Sequence, residues 1–474
     1  MTGIDMDRVL QRIDGDFPAS LARLFELLRF PSVGTDPAHD ADCRKAAEWL
    51  KQNLDGMGFR ADIHKTTGQP VVLATYDPPK AFAAARRHVP HVLFYGHYDV
   101  QPADPLNLWT TPPFEPEVRP GKDGRPCIYA RGASDDKGQV MTFVEASRAW
   151  LTVMGHLPFR LTVLIEGDEE GDAEHLDRFI AANKDKLKAD VALVCDTGLW
   201  DPKTPAIVSS LRGCIAEEVT ITGPRIDLHS GYYGGPAVNP IKVLSRMLGD
   251  MHDARGHIAI PGFYDGIKVP KPAVRKAWKS IPFSAKEFLG GVGLKTSAGE
   301  KDFTLLEQLW VRPTAEVNGI QSGYTGAGSK TVLPAKASAK LTFRLVQGQN
   351  PKNIRKAFRR YVKSKLPPDC KVAFSAQGGD NAGVAIADDN HWVLKAATAL
   401  ESEWGKAPVI VGAGGSIPVV ESFARHLGLN AVLMGFCNKD DALHSPNEKY
   451  NVESYHKGMH AWARFFGEIA KDMT

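Results

Sequence analysis

Four short apolar runs in this sequence end in a histidine or in grouped carboxylates, and that combination can do metal chemistry. Val92 to Tyr95 leads into His97 and Asp99, Leu161 to Ile165 into Glu166, Asp168, Glu169 and Glu170, and Val191 to Cys195 into Asp196. Ala431 to Phe436 leads into a loop bearing His444, and the stretch ARGASDDKG from Ala130 to Gly138 adds Asp135 and Asp136. Two imidazoles with several carboxylates form a zinc-type ligand set, and the acids suffice for two ions sharing a bridging carboxylate. Singly, no motif is specific. His97 and Asp99, two apart on an extended chain, point to one side, yet an ordinary strand end looks the same. Four such clusters together argue for metal.

The runs themselves say what positions these groups. Between helical patterns such as Ala46, Leu50, Leu54 and Met57, runs of four to six apolar residues at Val71 to Thr75, 92 to 95, 161 to 165 and 191 to 195 read as a sheet buried on both faces. Open α/β sheets carry their sites beyond the carboxyl ends of the strands, so the acidic ends converge on one rim. The pattern changes near Leu211. Glu217 to Thr222 alternates as a strand, and Pro240 opens an amphipathic helix through Met251. A second such pair follows, strand Ala339 to Val346 and helix Pro351 to Leu366. These predict a small two-layer α+β domain, residues 213–382, inserted into a discontinuous α/β domain formed by residues 1–212 and 383–474. Core pattern resumes with a helix around Trp392 to Leu400, a strand at Pro408 to Val411 and a closing helix from Glu453 to Lys471. Residues 78–90 read as a surface segment.

Composition excludes several classes. The chain has 474 residues, 43% apolar and 24% charged, with a net charge of +3. That is a globular balance, with no strongly polyanionic partner implied. The densest basic run, Arg355, Lys356, Arg359, Arg360, Lys363 and Lys365, lacks interleaved aromatics and reads as a solvated helix face instead of a nucleic-acid surface. Six cysteines without a CxxC pair suit reduced thiols in the cytoplasm. The first sixteen residues offer no signal-peptide core, and no apolar run could span a bilayer. Gly323 to Thr331, GYTGAGSKT, lacks the lysine a P-loop needs after its second glycine. Gly412 to Ser416, GAGGS, could cradle an anion or simply make a tight turn. His88, His91, His175 and His460 have no motif around them and read as surface or structural.

Taken in order, the motifs resemble those of the M20 family of co-catalytic metallopeptidases, in its carnosinase-like branch. They are GHYDVQP (96–102), ARGASDDKG (130–138), IEGDEEG (165–171), VCDTG with Asp196, DLHSGYYGG (227–235), GSKTVLP (328–334), LTFRLV (341–346), GAGGSIP (412–418) and LHSPNE (443–448). The resemblance implies a zinc-peptidase-like catalytic domain with an inserted lid and dimerisation domain. It implies His97 and Asp196 on one ion, Glu170 and His444 on the other, and Asp135 bridging both. The ions are zinc, with manganese or cobalt also compatible with these ligands.

Further roles follow from the same resemblance. Asp99 matches the acid that orients His97. Glu169 matches the general base acting on a metal-bridging water. The Asp135–Asp136 peptide is expected to be cis. His229 matches a histidine that reaches into the partner subunit's site, and Arg344 matches the arginine that holds the substrate's terminal carboxylate, with Gly414, Gly415 and Ser416 beside it. Asp196, where carboxypeptidase and aminoacylase branches carry glutamate, resembles the dipeptidase and aminopeptidase branches. The expectation is a cytoplasmic, homodimeric dipeptidase. An N-acyl amino acid amidohydrolase and a non-catalytic metal-binding protein stand as alternatives.

Overall fold

A computed structural model describes residues 5–471 except 85, 87, 172 and 379. The chain divides into two units, one of residues up to Ser209 with Ile386–Ile410 and everything from Ser422, the other of Ser210–Ala385 with Val411–Glu421.

The first unit is built on a mixed sheet in the order Arg60–His64, Val71–Tyr76, Arg160–Glu166, His91–His97, Val191–Val194, Ala431–Leu433 and Ala206–Leu211. The four middle strands run parallel to one another, His91–His97 pairing with both 160–166 and 191–194, and 191–194 with 431–433. Their carboxyl ends therefore share one edge, and His97, Glu166 and the chain just beyond Val194 and Leu433 arrive there together. Strand 71–76 joins this set antiparallel.

Alternation along His91–His97 covers the sheet on both sides. Phe94 stacks on Phe143 of the helix Lys137–Met154, centroids 3.8 Å apart, and Phe143 meets Trp462 and Phe466 of the closing helix Val452–Lys471 edge-on. Tyr95 points the other way, to the buried Phe423. Helix 137–154 stops at Gly155, whose φ of 75° closes the helix in the left-handed region that favours glycine. The expected strand over 431–436 is shorter, ending at Leu433. The surface segment at 78–90 holds a short helix, Lys80–Ala84; Ala85 and Arg87 lie outside the described residues.

The second unit carries a four-stranded antiparallel sheet in the order Thr314–Ser322, Lys336–Leu345, Gly213–Thr222, Lys371–Ala376. Ile215, Val219, Ile221, Leu341 and Phe343 form one core with Leu244 and Met247 of helix Pro240–Gly249 and with Ile354, Phe358 and Val362 of helix Pro351–Ser364. The basic run on the latter helix is not simply solvated. Arg355 is buried and pairs with both Glu217 and Asp380, while Arg359 reaches Glu217 at 2.7 Å. A carboxylate buried in the strand alternation needed these cations. The GYTGAGSKT stretch is an exposed loop leading into the strand Val332–Leu333, with no helix behind it to receive a phosphate.

In the first unit, one buried ion pair shapes the loop that carries Asp135. Glu448, fully buried, accepts hydrogen bonds from the backbone N–H groups of Gly132, Ser134 and Asp135 at 2.8, 2.9 and 3.0 Å, and from Arg131 Nη1 at 2.8 Å. Four donors converge on one side chain from the far end of the chain, and removing it strands all four in a dry interior. Breaking such a pair costs about 3 to 5 kcal/mol. We expect Glu448→Ala to lower unfolding stability by that amount in a denaturant titration; a change within the noise of the midpoint would show that the cradle is dispensable.

Candidate metal centre

His97 is the last residue of its strand, and its neighbour explains how close the next layer comes. A side chain on Gly96 would collide with Val140 and come within 2.8 Å of Asp136 Oδ2, which instead accepts a hydrogen bond from His97 N at 3.1 Å. The Asp135–Asp136 peptide is cis. His97 Nδ1 hydrogen-bonds to the carbonyl oxygen of Asp99 at 3.1 Å, with Asp99 Oδ1 3.3 Å away. That contact turns Nε2 toward Asp135.

The Asp99 carboxylate also accepts from the backbone N–H of Glu169 at 3.2 Å and of Glu170 at 3.0 Å, so it ties the end of one strand to the loop after the next. Glu170 is held in turn by Gln101 Nε2 at 2.7 Å. Ser134 Oγ donates to Asp441 at 2.9 Å, and Asp441 takes Lys449 Nζ at 2.9 Å, which anchors the loop bearing His444. Ala442 and His444 both sit at φ 58°, a left-handed conformation that costs a non-glycine residue about 1 kcal/mol or more and is paid where a side chain must be aimed.

Two ligand groups result. The donor atoms of His97, Asp135 and Asp196 lie within 4.8 Å of one another, and so do those of Asp135, Glu170 and His444. Asp135 belongs to both, presenting Oδ1 to His97 Nε2 at 3.2 Å and Oδ2 to His444 Nε2 at 2.9 Å. His444 Nε2 is also 3.1 Å from Glu170 Oε1. His97 Nε2 and Glu170 Oε1 are buried and, among the described residues, make no hydrogen bond. Buried polar atoms left unpaired are costly, and here both aim where a cation would complete them. The donor set therefore fits two divalent ions.

Electrostatics agree. Burial pushes Asp196 up to about 7, reinforced by Asp135, and burial raises Glu169 well above the usual carboxylate range. Burial would likewise raise Asp135, but His444 and His97 hold it below that range. The hydrogen bond to Asp135 and the close carboxylate of Glu170 lift His444 to about 10. Burial would lower His97, yet Asp135 and Asp99 raise it well above its ordinary value. Acids gathered this tightly call for positive charge.

Glu169 and Glu170 are adjacent but differently engaged. Glu170 is committed to His444 and Gln101, whereas the Glu169 carboxylate has no hydrogen bond or ion pair among the described residues. One is tied like a ligand and the other is left available for a proton.

The remaining candidates lie in the second unit. Arg344, on strand Lys336–Leu345, reaches Ser416 Oγ at 3.5 Å. Arg212, which the sequence reading did not single out, donates to the carbonyl of Gly414 at 2.8 Å, and its own N–H to that of Gly415 at 3.1 Å. Burial first, then the nearby charge of Arg344, lowers Arg212 to about 10. Among the described residues neither guanidinium has an acidic partner, so two cations flank one glycine loop. His229 ends the short strand Leu228–His229, is exposed, and accepts a hydrogen bond from Gly231 N at its Nδ1, 3.0 Å. With Nδ1 accepting, the neutral ring carries its proton on Nε2 and can donate there.

Three comparisons bear on these features. The model of peptidase family M20/M25/M40 matches residues 93–468. The Schizosaccharomyces pombe protein named Cys-Gly metallodipeptidase dug1 is 29% identical, over 98% of this chain and 99% of its own. Human Beta-Ala-His dipeptidase is 31% identical over 94% and 85%. A solved M20 family metallo-carboxypeptidase from Sulfolobus solfataricus superposes with a TM-score of 0.80 at 30% identity, covering 95% of this chain and 99% of that one. With a family match spanning most of its length and two carboxylate and imidazole groups joined by Asp135, the chain belongs to peptidase family M20/M25/M40 and is a metallopeptidase.

Proposed function

We propose that this enzyme hydrolyses the amide bond of dipeptides or short peptides with a free C-terminal carboxylate, at a dinuclear metal centre. The observation that carries the reading is Asp135, one carboxylate oxygen turned to each histidine, with an uncommitted Glu169 alongside. The relatives' names, a Cys-Gly and a β-Ala-His dipeptidase, support short peptides as the substrate class.

His97 and Asp196 would hold one ion, Glu170 and His444 the other, and Asp135 would serve both. Zinc suits this set best, and manganese or cobalt would also be accepted. Two such ions, when bound, polarise the scissile carbonyl and acidify water. Asp99 keeps the ring of His97 in place. Glu169 takes a proton from the attacking water on its free carboxylate oxygen and delivers it to the leaving amine nitrogen. Arg344, with Gly414, Gly415 and Ser416, receives the substrate's terminal carboxylate, and Arg212 keeps that loop in shape while adding positive charge. His229 offers its Nε2 proton to the developing oxyanion of the partner subunit's substrate.

Sharing of this kind requires a homodimer through the inserted domain, read as residues 213–382. Exposed apolar side chains support it: Ile320 is 64% and Val317 40% exposed on the edge strand Thr314–Ser322, and Tyr232 is 80% exposed beside His229. A cytoplasmic location fits six free cysteines. Among the described residues no helix is long and apolar enough to cross a membrane.

Three experiments test this reading. Glu169→Gln is expected to lower the rate by about a hundredfold to ten-thousandfold with two ions per subunit retained, because the residue handles a proton and no ion; loss of metal, or a nearly normal rate, contradicts it. Amidating a good dipeptide's C-terminus removes the charge met by Arg344, and kcat/KM should fall by the equivalent of about 2 to 5 kcal/mol. Equal rates on the two forms argue for an aminopeptidase, and preference for N-acyl amino acids over dipeptides for an amidohydrolase. Finally, His229→Ala and Glu169→Gln homodimers should each be nearly inactive, while their mixed dimer recovers one working site of two. A verified mixed dimer without activity rules out sharing.

A further inference from the structure

A second group of side chains of metal-ligating type, Asp14, His456 and His460, lies in the first unit, and none of its members belongs to the centre described above. His456 and His460 stand one turn apart on the closing helix, so their rings share a face, with centroids 4.5 Å apart. Both aim Nε2 at the same oxygen, Asp14 Oδ1 on the helix Met6–Leu28, at 2.8 and 3.0 Å. Behind His460, Glu403 Oε2 lies 3.4 Å from Nδ1 and is steadied by Arg464 Nε at 3.0 Å.

The arrangement has an electrostatic consequence. A neutral imidazole has one N–H, and His460 faces a carboxylate at each nitrogen. Only a second proton or a cation satisfies both. With the Nδ1 proton directed at Glu403, the Nε2 lone pair is free for a metal, which is the carboxylate–histidine–metal relay that orients ligating imidazoles. Ligand atoms around a tetrahedral zinc ion with bonds of about 2.0 to 2.1 Å lie about 3.3 Å apart, a few tenths of an ångström more than the two N to O distances here. Small side-chain rotations open that space. Asp14 is 52% and His456 33% exposed at the side chain, which leaves an approach from solvent and room for a water as fourth ligand.

We propose that His456, His460 and Asp14 form a peripheral site for one divalent transition-metal ion of the zinc class, stapling the N-terminal helix to the C-terminal one. The helices already meet through Ser20 Oγ and Tyr455 Oη at 2.7 Å, so the ion would reinforce an existing contact. Because it binds only the folded arrangement, it adds stability in proportion to its occupancy.

The test uses the full-length enzyme with its catalytic ions in place, titrated with zinc and desalted before metal analysis, beside His456→Gln and Asp14→Asn. Wild type is expected to hold one more zinc per subunit than either variant, and added zinc should raise its thermal midpoint by a few degrees but not theirs. Peptide hydrolysis should be the same in all three. The readout is a difference between chains, so it stands whatever number of ions the catalytic centre holds. Equal zinc content, or equal response of the midpoint to zinc, in wild type and both variants would overturn the site and leave a hydrogen-bonded cluster. Two positions on different helices, the exposed Asp14 and the half-buried His456, are used so that misfolding of one variant cannot decide the outcome.

Discussion

The structure is organised around negative charge that should not be buried. Asp99, Asp135, Asp136, Glu166, Asp168 and Glu448 are all nearly or fully excluded from water near one sheet edge, with Glu169, Glu170 and Asp196 partly so. Burying a carboxylate without a partner costs more than any single packing contact returns. The fold meets this in two ways. Some acids are satisfied by backbone N–H groups and internal cations, as Glu448 is by Arg131 and Asp441 by Lys449. Asp135, Glu170 and Asp196 instead gather with His97 and His444 into the two ligand groups, where the buried His97 Nε2 and Glu170 Oε1 stay without a hydrogen bond among the described residues.

That division gives each acid its role. Glu448, Asp441 and Asp99 bind the backbone of loops, and so set where the neighbouring Asp135 and Glu170 point. The parallel strands bring the loops to one edge, and the helix Lys137–Met154 pressing on Gly96 sets how near Asp136 comes to His97. A site of this kind tolerates little slack, since ligand positions must hold within about half an ångström. The left-handed backbone at His444 is one cost of the aim.

The second unit shows the opposite sign. Arg212 and Arg344 bracket a glycine-rich turn and, among the described residues, form no ion pair, while Arg355 and Arg359 on the same unit are neutralised by Glu217. Guanidinium groups left unpaired beside backbone amides are suited to a carboxylate ligand, whereas paired ones hold a helix onto its sheet. The same residue type thus serves recognition in one place and packing in another, and only the partners tell which.

Much of this was legible in the sequence because its signals are local. Apolar runs ending in His97, Glu169, Glu170 and Asp196 announce strands and a rim, and the spacing of Ile354, Phe358 and Val362 announces a helix face. What remained hidden depends on residues distant in the chain. Glu448 follows its motif histidine by four positions, but nothing nearby says that it receives the amides of Gly132 to Asp135. Arg355 reads as solvated until Glu217, buried by the alternation of its own strand, is found beneath it. Gln101 lies inside the GHYDVQP stretch, but nothing there says that it reaches Glu170, and Arg212 carries no motif of its own. His460 reads as surface or structural in the sequence, because its partner Asp14 lies over four hundred residues earlier. Local periodicity and motif chemistry are written along the chain; which charge meets which is decided only when burial removes water and forces distant groups to satisfy one another.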